Sequence, residues 1–92
     1  MQVRASLILV ETEQQAQALL EQLNNGANFF DLAMEHSRCP SSRAGGDLGM
    51  FGRGQMVPEF DKVVFNEAIN VVHGPVKTEF GYHLLETTSR RD

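Results

Sequence analysis

The chain has a single cysteine, no tryptophan, few basic residues and no long apolar run, and each shortage removes a class of function. With Cys39 alone there is no internal disulfide to form, so the fold must stand on packing and hydrogen bonds. Eight basic residues against twelve acidic ones give a net charge of −4 at pH 7. The cations Arg4, Arg38, Arg43, Arg53, Lys62, Lys77, Arg90 and Arg91 are scattered along the sequence. A nucleic-acid partner needs clustered cations that release counterions from phosphate, so none is expected. The apolar stretches are too short for a membrane-spanning helix, so no membrane partner is expected either. These shortages fit a soluble protein of a reducing cytoplasm, and a domain cut from a longer exported protein fits the same sequence.

Ninety-two residues make one domain, 1–92. A chain of this size buries only roughly 60–65% of its unfolded surface, so modest stability is expected. No long exposed apolar stripe argues for more than a monomer.

What is present reads as an α+β domain. Val3 to Val10 is aliphatic and β-branched, a largely buried strand with Val3, Ala5, Leu7 and Leu9 on one face. Thr12 and Gln15 form a capping box ahead of Ala16, Leu19, Leu20 and Leu23 at helical spacing, and Gly26 supplies the C-terminal cap. Asn28 caps a second short helix, which carries Asp31 in its first turn, turns Phe29, Leu32 and Ala33 inward and ends near His36 and Ser37. Residues 38 to 47 read as irregular, leading into a short strand over 48 to 51. Pro58 suits the first turn of a third helix packing through Phe60, Val63, Val64 and Phe65. Gly74-Pro75 reads as a turn opening onto Val76-Lys77, and Gly81 opens a last strand over 82 to 87. The short connection between the last two strands makes them antiparallel.

The densest information lies in 45 to 60, where Gly45, Gly46, Gly49, Gly52 and Gly54 alternate with Leu48, Met50, Phe51, Met56 and Phe60. Glycines that permit positive φ and close approach make this a tightly folded path. It is not a phosphate-binding loop, because Gly-Arg-Gly-Gln replaces the required Gly-Lys-Ser/Thr, and Val57 stands where a dinucleotide fingerprint needs its third glycine. His36, His73 and His83 lack zinc-ligand spacing, and no metal or other cofactor is indicated. A cysteine hydrolase would need Cys39 beside an activating histidine and an orienting Asn or Asp, and a small apolar thiol is the plainer account.

Composition alone would assign Leu48, Met56 and Phe60 to the core. Their setting in Gly-Gly-Asp-Leu-Gly, Arg-Gly-Gln-Met and Pro-Glu-Phe, followed later by Phe80-Gly81-Tyr82-His83, resembles the parvulin-type peptidyl-prolyl cis/trans isomerases, above all the small stand-alone ones. The resemblance runs from about residue 5 to 87. It implies a parvulin (FKBP-like) fold, a four-stranded antiparallel sheet wrapped by about four helices, with the first and last strands central.

It also implies a prolyl cup of Leu48, Met56 and Phe60, and a polar floor of Cys39, Thr78 and His83 with Gln55 and Phe80 near the rim. One position departs from the pattern: Leu7 stands where the family usually carries the first of two facing histidines, leaving Thr78 to hold His83. Phospho-specific relatives insert a basic loop after the first strand, whereas here Val10 passes through Glu11 straight into the capped helix. The implied partners are proline-containing peptides and unfolded protein segments, without a requirement for phosphate. The implied activity is rotation about Xaa-Pro bonds in support of protein folding. The alternative is a module that binds such segments without turning them over, and Leu7 keeps it in play.

Overall fold

The computed structural model describes residues 1–91. Strand β1 (Gln2–Val10) leads to α1 (Glu13–Asn24) and α2 (Phe29–His36), then a 3-10 turn (Pro40–Ala44), β2 (Asp47–Gly52), α3 (Pro58–Val64), β3 (Val72–Thr78) and β4 (Gly81–Arg91). The four strands form one antiparallel sheet in the order β2-β1-β4-β3, so the first and last strands are central. Among the described residues three α-helices surround it, not about four; the expected irregular stretch supplies only the short 3-10 turn.

The caps follow from local chemistry. Thr12 Oγ1 accepts from the Gln15 N–H at 3.1 Å while Gln15 Oε1 accepts from the Thr12 N–H at 3.1 Å, the reciprocal box that satisfies orphan donors of α1. At its far end the Ala27 N–H reaches back to Gln22 O and the Gly26 N–H to Leu23 O, closing the helix beyond Asn25. Asn28 Oδ1 caps α2 by accepting from the Asp31 N–H at 3.2 Å.

β1 is covered on both faces, which is why its sequence is almost continuously apolar. Val3 and Ala5 pack with Phe51, Val64 and Phe65; Ile8 and Val10 face the other way, onto Leu19, Leu32 and Leu84. Leu84 and Leu85, adjacent and both fully buried, give β4 the same two-sided character.

Two expectations about strands need correcting. Gly74-Pro75 is not a turn but an interruption within β3, where the register against β4 shifts between His73 and Val76. Proline has no N–H for the ladder, and a bulge is where a strand tolerates it. Gly74, at φ +134°, lies so close to β4 that a Cβ there would sit 2.6 Å from the His83 carbonyl oxygen. β4 in turn does not stop at Thr87 but runs to Arg91, its polar end pairing with the start of β1 in the partnerships Gln2–Arg91 and Val3–Arg90.

Candidate active site

His83 organises the site. It lies on β4 between Leu9 of β1 and Val76 of β3, and only 3% of it is exposed. Thr78 Oγ1 and His83 Nε2 are 2.8 Å apart, and the same hydroxyl oxygen accepts from the Phe80 N–H at 3.1 Å. Two residues of hairpin, Glu79 and Phe80, therefore tie the last turn of the sheet to the imidazole. Burial pushes the His83 pKa below its ordinary range, against a weaker upward pull from Glu59, so the ring is neutral near pH 7. Its Nδ1 is buried without a hydrogen-bond partner among the described residues. Leu7, 3% exposed and on the same face of β1 as Leu9, lines the same cavity and supplies no polar atom to it.

Above the imidazole stands Phe60, whose ring meets it edge to face with centroids 4.6 Å apart. Phe60 comes from the first turn of α3, which Pro58 opens and the Phe60 N–H to Val57 O bond of 3.0 Å tightens. The glycine-rich turn before α3 is pinned at two points: Gln55 Oε1 accepts from the Gly52 N–H at 2.8 Å, and Asp61 Oδ2 from the Gly54 N–H at 2.9 Å. That fixes Met56 and Val57 against Phe60.

These elements enclose an apolar cavity of about 400 Å³. Seven of the eight residues singled out from the sequence line it: Cys39, Leu48, Gln55, Met56, Phe60, Phe80 and His83. Thr78 lies behind His83 and reaches the cavity only through it. Phe80, 64% exposed at the hairpin tip, overhangs the mouth. Sequence reading missed Leu9, Arg38, Pro40 and Val57 as wall residues. Leu9 was findable as the next inward position after Leu7. Arg38 carried no such signal, because it is brought in by tertiary bonds.

Those bonds join the loop after α2 to β1. Ser37 Oγ accepts from the Leu9 N–H at 3.0 Å and the Arg38 N–H donates to Leu9 O at 2.8 Å, which delivers Cys39 to the cavity wall. On the next stretch the Leu7 N–H donates to Gly46 O at 2.9 Å, and a Cβ at Gly46 would lie 2.3 Å from the Leu7 carbonyl oxygen. Only glycine lets the chain pass there and carry Leu48 over the floor.

A larger recess of about 670 Å³ lies elsewhere, along Asn24, Asn28, Phe30 and Asn70. Its lining is mainly polar and its one perturbed carboxylate, Asp47, is held down by the hydrogen bond from Arg4. The smaller cavity, apolar and floored by a buried neutral histidine, is the one equipped for chemistry. Among the described residues no three His, Cys, Asp or Glu side chains converge to hold a metal.

An apolar cup closed by a turn-pinned helix, above a histidine held by threonine, is the arrangement the resemblance implies. Residues 2–91 match the model of the PPIC-type PPIase domain. The chain belongs to this peptidyl-prolyl isomerase family. It is 48% identical over 92 residues to the foldase protein PrsA of Halalkalibacterium halodurans, covering 99% of this chain and 28% of that protein.

Among solved structures this PPIase domain superimposes on PrsA of Bacillus anthracis with a TM-score of 0.95 at 37% identity, covering 99% of this chain and 42% of that one. The parvulin NmPin of Nitrosopumilus maritimus matches with a TM-score of 0.86 at 36% identity, over 96% of each chain. The chain thus spans under a third of the curated foldase and nearly all of the parvulin chain. The longer foldases offer the cytoplasmic expectation no support, and the reading as part of a longer protein stands beside it.

Proposed function

We propose that residues 1–92 act as one isomerase domain that accelerates cis/trans rotation of Xaa-Pro bonds in unfolded or flexible protein segments, assisting folding without a requirement for phosphate. The observation that carries this reading is the pairing of a closed apolar cup with a neutral, hydrogen-bonded histidine beneath it. Uncatalysed rotation faces about 18–20 kcal/mol because amide resonance holds the bond planar. The planar amide is the more charge-separated form, so a site poor in water favours the twisted one. In this reading Leu48, Met56 and Phe60 grip the prolyl ring, and Cys39 and His83 border the turning carbonyl. Thr78 keeps the imidazole in place, while Gln55 and Phe80 restrain the peptide at the rim.

No nucleophile or cofactor enters the reaction, so Cys39 acts as a soft, polarisable surface and not as an attacking thiolate. The partners are proline-containing client segments, taken up by a monomer. Two-dimensional exchange spectroscopy on a proline peptide tests this directly: cis and trans resonances should interconvert faster with protein present, in proportion to its concentration.

One observation favours a second reading. Among the described residues His83 Nδ1 has no partner, and Leu7 fills the position where the resemblance implies a second histidine. A module that captures proline segments without turnover would bind the same peptides and leave their exchange rate unchanged.

A further inference from the structure

Among the described residues, the cavity wall carries one side chain that is cationic near pH 7, Arg38. Arg38 lines the same cavity as Cys39, its neighbour in sequence, and in the isomerase reading Cys39 borders the turning carbonyl of the residue that precedes proline. Arg38 does not stand free there. The Arg38 guanidinium donates to the Glu11 carboxylate, which leaves β1 just beyond Val10, and the two side chains are 59% and 63% exposed. The backbone beneath them is fixed by the Arg38 N–H to Leu9 O bond, so the pair is held at the mouth.

We propose that Glu11 sets the charge preference of the site. By occupying Arg38 it cancels the one cation on the wall, so the residue before proline is not selected for negative charge. The inference rests on the isomerase reading for the position of the substrate. Glu11 is a positioning residue, since it acts through Arg38 and does not touch the peptide. An exposed ion pair is weak and exchangeable, so an acidic peptide side chain can take the place of Glu11 only by giving up nearly what it gains. Removing the internal carboxylate hands that attraction to the substrate.

The test uses peptides Ala-Xaa-Pro-Phe with Xaa as Glu, Leu or Lys, with kcat/KM from exchange spectroscopy and Kd from chemical-shift titration. Ratios between peptides within one variant cancel any loss of folded protein. In Glu11→Gln the Glu-to-Leu preference should rise about two- to fivefold, which corresponds to about 0.4–1 kcal/mol at about 1.4 kcal/mol per tenfold. Preference for Lys should fall. The gain should shrink at high salt, because the Arg38 site is exposed. Adding Arg38→Gln should return the Glu-to-Leu ratio to its parental value. An unchanged ratio in Glu11→Gln, or a raised one that survives Arg38→Gln, overturns the proposal. If the parent accelerates none of the peptides, the isomerase reading fails by itself, and the Kd ratios decide this inference in its place.

Discussion

Phe60 on α3 and His83 on β4 stand edge to face, ring centroids 4.6 Å apart and ring planes at 78°. Helix and sheet are joined here by an aromatic ring on one side and an imidazole on the other. Whatever holds the imidazole therefore also holds the cup.

Truncating that ring should be felt in stability and turnover together. Phe60→Ala empties a site that is 6% exposed and should destabilise by about 3–5 kcal/mol, with most activity lost. Phe60→Leu should keep more of the stability than of the rate. Thermal melts read beside exchange rates separate the two, and full activity in a folded Phe60→Ala protein would place the proline elsewhere.

Thr78→Val keeps shape but removes the oxygen shared by the Phe80 N–H and His83 Nε2. Leaving those groups unpaired should cost about 1–3 kcal/mol and loosen the hairpin tip. Thr78→Ser should recover most of both. Amide exchange at Phe80 is the local probe, and protection retained in the Val variant would argue that the hydroxyl organises nothing.

The pH dependence follows from burial of His83. Its folded pKa is depressed, so the unfolded chain binds the proton first as pH falls. Stability from this group is present above its ordinary pKa of about 6.5 and declines below it, down towards the lower folded value. Urea midpoints should thus fall between pH 7.5 and 5.5 in the parent and fall less in His83→Gln. Asp47, held below its usual range first by the Arg4 hydrogen bond, titrates in a separate and more acidic window. Equal slopes in parent and variant would contradict the assignment.

Leu7→His puts an imidazole on the cavity wall that Leu7 shares with His83, whose Nδ1 has no partner among the described residues, at the position where the resemblance implies a second histidine. Turnover should rise by about one to two powers of ten, or about 1.4–2.7 kcal/mol of barrier. The new buried group should cost about 1–3 kcal/mol of stability if its own hydrogen bonds are incomplete. A silent parent with an active variant would favour capture without turnover. Two folded but silent proteins would remove the catalytic reading altogether.

Most of the site was legible because the motifs that carry the resemblance are local. The glycine-rich turn and the first turn of α3 declare themselves within a few residues, while the roles of Leu48, Met56, Phe60, Thr78 and His83 came from the motifs that carry the resemblance. Arg38 was not legible, since its place depends on Leu9 and Ser37 meeting across 28 residues of chain. The polar end of β4 was hidden for a different reason: Thr88, Ser89, Arg90 and Arg91 show no apolar alternation, and what makes them a strand is the backbone of β1 beside them. Gly74-Pro75 looked like punctuation, and only the register against β4 reveals a bulge.

The partnership of Gln2 with Arg91 has a mechanical consequence. A tether pulling on both ends loads the β1–β4 ladder as a zipper, opening hydrogen bonds singly from that end. Leu9 and His83 are partners near the other end, roughly 20 Å along the strand at about 3.3 Å per residue. Under such a load the rungs between Gln2–Arg91 and Leu9–His83 open in turn, so the imidazole's own rung is among the last to be reached.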